Sequence, residues 1–178
     1  NTASVNLTSA LAPYPDLIVT AVAPVPSTAW RAGDAVTVNW KTRNQGDGAT
    51  VGSWTETLRV RNLTTGQTLL TRDLPYDAAV LGDLAAGGES ARSTSFTWPA
   101  GPSAEGHFEF AVTTDTAGQV FENNAANTAE SNNAAALSVV SAPDLKVLNL
   151  ASDALAPRSG DLITLNWDDL NGGNVPAS

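Results

Sequence analysis

The chain contains no cysteine and a single histidine. The first absence excludes a disulfide framework, a thiolate metal site and a cysteine nucleophile, so stability must come from packing, with ions as the remaining aid. The lone imidazole, His107, stands without a Ser or Asp pattern that would mark a catalytic triad. Basic residues are also scarce: 9 Lys+Arg stand against 18 Asp+Glu, a formal net charge of −9. Such a surface repels phosphate backbones and anionic lipid, so nucleic acid is excluded as a partner class. No apolar run approaches the ~20 residues that cross a bilayer, and residues 1–14 lack the basic and apolar regions of a signal peptide. Membrane insertion is therefore not expected, and any targeting information is expected outside this sequence.

What remains is a chain that is 42% hydrophobic and only 15% charged. It has enough apolar matter for a core, and its surface must rely on Thr, Ser, Asn and Gly. Its 178 residues allow one domain of ordinary size and a remainder. Short β-branched and aromatic runs alternate with period two, and no 3.6-residue stripe competes with them. The clearest run is 35–43, where Val36, Val38 and Trp40 share one face and Thr37, Asn39 and Lys41 the other. Further strands are predicted at 17–23, 55–63, 67–72, 91–98, 107–114 and 135–140, with Gly-, Asn- and Asp-rich turns between them. The expected fold is all-β, an immunoglobulin-like antiparallel sandwich of about seven strands.

The sequence also repeats itself. Pro15-Asp16-Leu17, Gly33-Asp34, Val36, Val38, Asn39-Trp40 and Asn44-Gln45-Gly46 return in order as Pro143-Asp144-Leu145, Gly160-Asp161, Ile163, Leu165, Asn166-Trp167 and Asn171-Gly172-Gly173. The offset of 127 or 128 positions holds across about thirty residues, beyond coincidence. Residues 1–14 then read as the tail of a preceding repeat, with Val5 and Leu7 in its last strand; 15–141 as a complete repeat; and 142–178 as the truncated start of the next. The expected partners are neighbouring repeats of the same polypeptide, stiffly joined through the short junction 141–143. Ile163, Leu165 and Trp167 would be bare in a lone fragment, so packing on the preceding domain or domain swapping with another chain is expected.

Candidate sites follow from donor chemistry. Asp115, Glu122, Asn123, Asn124, Asn127, Glu130, Asn132 and Asn133 place many hard oxygens within nineteen residues, a composition suited to Ca2+. The alternative is that these side chains cap turns and solvate a loop. Asp16 and Asp144, at equivalent repeat starts, are a second place for an ion. Trp30 and Trp54 fall near loops and form the candidate exposed pair for stacking on a sugar, against the alternative of core packing. Glu105, Glu109 and Asp115 are the only carboxylates that suggest a glycosidase pair, and alternation does not focus them, so no enzyme is expected.

In its order of motifs the stretch 15–141 resembles the CARDB domain, an immunoglobulin-like, cell-adhesion-related module repeated in large bacterial extracellular proteins. The resemblance rests on Pro15-Asp16-Leu17, Val36 to Trp40, Asn44-Gln45-Gly46, Trp54 to Val60, Leu84 to Ser90, Trp98-Pro99, Gly106 to Phe110, and Asp115 with Val120-Phe121-Glu122 and Glu130-Ser131-Asn132-Asn133. Ala125 to Ala129 intervenes as an inserted bulge or longer loop. The resemblance implies a structural or adhesive extracellular spacer of a secreted or surface-attached protein, stiffened by calcium. A carbohydrate- or protein-binding accessory module of an exported enzyme, meeting a surface glycan or protein, is the alternative.

Overall fold

The computed structural model describes residues 1–6 and 12–177. Nine strands form rather than seven, because seven build the sandwich and two more stand apart. One sheet orders β1 (Leu17–Val25), β2 (Ala35–Asn44) and β5 (Glu89–Thr97) as β1-β2-β5. The facing sheet orders β3 (Trp54–Asn62), β4 (Thr68–Tyr76), β6 (Gly106–Thr113) and β7 (Ala134–Ser141) as β4-β3-β6-β7. All pairings are antiparallel. One helical turn, α1 (Ala78–Leu81), joins β4 to β5. Residues 1–6 carry no strand and Val5 is exposed; Leu7 lies outside the described residues.

Alternation in the sequence becomes burial in the fold. Val36, Val38 and Trp40 of β2 point inward and meet Leu58 and Val60 of β3 and Phe108, Phe110 and Val112 of β6 in one cluster. Burying each such aliphatic side chain contributes about 2 kcal/mol. The parity that turns Trp54, Leu58 and Val60 inward also turns Glu56 inward, and Glu56 is fully buried. Its carboxylate accepts from Trp40 Nε1 at 3.2 Å, from the Thr42 hydroxyl, and from Arg92 Nε at 3.0 Å. Arg92 Nη2 donates onward to the Pro75 carbonyl at 2.7 Å. Four strands, two from each sheet, thus meet on one buried ion pair.

The start of β1 is held by Asn44. Its Oδ1 accepts from the amides of Asp16 and Gly46, both at 3.1 Å, and its Nδ2 donates to the Gly48 carbonyl at 2.7 Å. A Cβ on Gly46 would lie 2.4 Å from the Tyr14 carbonyl oxygen, which is why the turn takes glycine there. The two outlying strands, β8 (Leu145–Ser152) and β9 (Leu165–Asn171), repeat this arrangement. Asn171 Oδ1 accepts from Asp144 and Gly173, both at 3.0 Å, and its Nδ2 donates to Val175 O at 2.7 Å. Even the bulge recurs, between Thr20 and Ala23 in β1 and between Leu148 and Ala151 in β8.

Removing one partner of a buried pair leaves an uncompensated charge. Arg92→Met is therefore expected to lower the urea unfolding free energy by about 3 kcal/mol. Lys41→Met, at the exposed pair with Glu89, is expected to change it little. Equal effects at the two positions would contradict the weight placed on Glu56.

Candidate metal centre

The loop that leads from β6 to β7 folds back to where β1 begins. Asp115, at φ +43°, lies two residues beyond the end of β6 and caps a tight turn, its two oxygens accepting from Gln119 N at 2.7 Å and Val120 N at 2.9 Å. The turn buries Val120 beside Leu17, Trp54, Tyr76 and Leu84. Two residues on, that anchorage brings Glu122 inside, where its carboxylate accepts from the Leu17 amide and, at 3.0 Å, from Asn133 Nδ2. Glu130 lies in a 3-10 turn (Ala129–Ser131) and its Oε1 accepts from Glu122 N at 2.8 Å.

Carboxylate oxygens of Asp115, Glu122 and Glu130 consequently lie within 4.8 Å of one another. Asp115 and Glu122 are buried and Glu130 is exposed. Burial pushes the Glu122 carboxyl up to about 7, against the opposing pull of the Leu17 and Asn133 donors, and the negative neighbours Glu130 and Asp115 raise it further. Among the described residues no lysine or arginine pairs with any of the three. The same segment of chain also holds polar atoms left without partners. Of five buried side-chain N and O atoms that lack one among the described residues, three are Thr114 Oγ1, Asn132 Oδ1 and Asn133 Oδ1.

Of the six residues expected from sequence to hold an ion, four come together: Asp115, Glu122, Glu130 and Asn133. Asn123 borders the same hollow as Glu122 and Glu130, and Asn124 is engaged elsewhere. Asn123 meets the Pro15 carbonyl through its backbone amide and, with Phe121 and Glu130, lines a hollow of about 240 Å3. Asn124 closes the inserted turn instead, its Oδ1 accepting from Ala126 N and Thr128 N and its Nδ2 donating to Asp16 at 2.8 Å. Asn127 lies in that exposed turn and Asn132 Nδ2 donates to Asp16 at 2.9 Å.

The carboxylates of Asp16 and Asp144, the second place named for an ion, each have partners within the chain. The buried Asp16 carboxylate is satisfied by three amides, those of Gln45, Asn124 and Asn132, while Asp144 pairs with Lys146 at 2.7 Å. The sugar-stacking pair is corrected, since Trp30 and Trp54 are 3% and 1% exposed. Trp30 packs on Trp98 with ring centroids 4.4 Å apart and donates to the Pro26 carbonyl at 2.7 Å. Trp54 opens β3 on its inward parity and stacks on Tyr76 at 3.7 Å. Glu109 pairs with Arg59 at 3.5 Å on β6, and His107 is exposed.

A family model, CARDB, matches residues 14–136. The chain belongs to the CARDB family. CARDB is a non-catalytic domain family. A solved CARDB domain of a Pyrococcus furiosus protein, in complex with di-metal ions, superposes with a TM-score of 0.51 at 18% identity, covering 75% of this chain and 98% of that one. The solution structure of the same domain gives 0.48 at 18% identity, covering 74% and 98%. A β-glucosidase from Listeria innocua in complex with glucose gives 0.40 at 12% identity, covering 73% of this chain and 16% of the enzyme. No curated protein matches the chain. The first of these likenesses establishes the sandwich fold.

The raised Glu122 carboxyl makes a signed prediction for cation-free solution. Folded, the group holds its proton up to about 7; unfolded, it releases it near its ordinary 4.5. Between those values the native state binds more protons, so Glu122 lowers stability as pH rises through the window. Urea unfolding of the parent and of Glu122→Gln, compared at pH 5 and pH 8, is expected to show the parent losing stability relative to the variant at pH 8. A constant difference would contradict the burial argument.

Proposed function

We propose that this CARDB domain is a stiff structural spacer of a secreted or surface-attached bacterial protein, whose closing loop is locked onto its first strand by a bound calcium ion. Membership of the family supports an adhesion-related or structural role. The observation that carries the calcium reading is the coincidence of three carboxylates within 4.8 Å with buried amide and hydroxyl oxygens that have no partner. Unpaired buried polar atoms are rare, and finding them in the segment that carries three carboxylates without a basic partner fits a cation. The donors are all hard oxygens, with no imidazole or thiolate among them, which suits calcium over zinc or copper. Asp115, Glu122 and Glu130 would hold the ion, with the side-chain oxygen of Asn133. The Pyrococcus furiosus relative in complex with di-metal ions adds support.

Position gives the ion its structural purpose. Glu122 reaches the Leu17 amide, so charge neutralised at this cluster steadies both the loop and the strand through which the chain enters the sandwich. The ion would supply electrostatic compensation there and no chemistry. The rival reading, a carbohydrate-binding module, loses the indoles on which it rested, because Trp30 and Trp54 are buried.

Binding to the native state alone raises stability by mass action, about 2.7 kcal/mol at a hundredfold excess over Kd, enough to move the melting midpoint by roughly 5–11 °C. Calcium is expected to raise the midpoint by that order, chelator to reverse it, and Glu130→Gln to abolish the response while keeping the acceptor for Glu122 N. A midpoint indifferent to calcium would remove the ion from the account.

A further inference from the structure

The chain enters and leaves the sandwich at opposite poles. β1 begins at Leu17, which packs with Trp54, the first residue of β3, at one pole of the core. The pairs Thr57↔Thr113 and Thr113↔Ala134 put the start of β7 at that pole as well. β7 then runs to Ser141, opposite Gly106, at the far pole. The two strands therefore run in the same direction, but in different sheets, and share no ladder. Each lies at the edge of its sheet, β1 paired with β2 and β7 with β6.

Tension applied before Pro15 and after Ser141 pulls β1 and β7 along their own axes in opposite senses. The hydrogen bonds of an antiparallel ladder stand perpendicular to its strands, so this pull shears them together and does not open them one at a time. At the entrance the grip extends beyond the ladder. The Pro15 carbonyl accepts from Asn123 N at 3.2 Å, and the Asp16 carbonyl from Gln45 N at 2.8 Å. The Asp16 carboxylate accepts from Asn124 Nδ2 at 2.8 Å, from Asn132 Nδ2 at 2.9 Å and from Gln45 Nε2 at 3.2 Å. The Leu17 amide donates to Glu122. Residues 122–133 run straight into β7, so a pull on residues 15–17 passes across these bonds to the strand by which the chain leaves.

We propose that this domain carries tension along its chain, and that the hold of residues 122–133 on residues 15–17 is the mechanical clamp. The inference rests on the spacer reading, in which neighbouring domains pull on both ends, and it does not rest on calcium. Three side-chain amides hold Asp16 without a cation, and an ion at Glu122 would add to the grip only through Leu17.

Forced unfolding reads the barrier along the direction of pull, whereas equilibrium stability has no direction. The chain has no cysteine, so a pair of introduced ones can set that direction. In optical tweezers the whole chain held by its two ends is compared with the whole chain held through Thr65→Cys and Ala100→Cys. Both positions are exposed, one in the turn between β3 and β4 and the other beyond β5, at the pole away from Leu17. That second pull parts the sheets and leaves residues 15–17 unloaded. The end-to-end unfolding force is expected to be several-fold the higher, in chelator as well as in calcium. Asn124→Ala combined with Asn132→Ala is expected to bring it down toward the Thr65–Ala100 value and to leave that value unchanged. Equal forces in the two directions of the parent overturn the proposal, whether or not the double variant folds. So does a double variant that lowers both forces in the same ratio, and so does a contrast that needs calcium. A contrast that persists in chelator beside a melting midpoint indifferent to calcium discards the ion and keeps the clamp.

Discussion

Four carboxylates are buried in this sandwich; Asp115 is taken up by two backbone amides, and the structure depends on how each of the other three is satisfied. Burying an ionised group without compensation costs several kcal/mol, so its partners show what the site is for. Glu56 takes Arg92 and two neutral donors, which ties the sheets together across the core. Asp16 takes three side-chain amides and needs no cation. Glu122 has two donors and two acidic neighbours, and it alone among the three lies against further negative charge. The same chain solves the problem twice with its own residues, and the third case is the one the proposed cation would complete.

The geometry explains why that third case sits where it does. The loop from β6 to β7 is long, and a long loop orders only if something holds its interior. Asp115 fixes its first turn and Asn124 its inserted one, while Glu122 is the stitch between them that reaches β1. Asp16 and Leu17 are consecutive, as are Asn132 and Asn133, and the two pairs answer each other: Asn132 holds Asp16 as Asn133 holds Glu122. The start of β1 and the end of the loop from β6 to β7 are thereby fastened at one place.

Much of this was legible in residue order. Alternation located the strands and chose the inward side of β2 and β6, and the density of oxygen donors pointed to the segment 115–133, of which Asp115, Glu122, Glu130 and Asn133 lie together in the fold. The same parity that turned Leu58 and Val60 inward also pointed to Glu56. Other features were not readable, for physical reasons. Sequence cannot say which way a side-chain amide turns, so Asn124 as a turn cap and Asn133 as a companion of Glu122 look alike. Proximity to a loop misplaced Trp30 and Trp54, because a loop that folds over the end of a sandwich buries its aromatics as well as a strand does. The repeat was plain from spacing; the contrast in burial between Trp40 and Trp167 is a tertiary fact, since the local devices of a hairpin form with or without a covering sheet.

The claim that an outside cation completes the Glu122 cluster is tested most directly by a crystal structure grown in millimolar calcium, with anomalous scattering used to locate the ion. The account predicts density coordinated by Asp115, Glu122, Glu130 and the Asn133 side-chain oxygen, with none at Asp16 or Asp144. Calcium at saturation that leaves the carboxylate trio bare, or that settles on Asp16 instead, would contradict it.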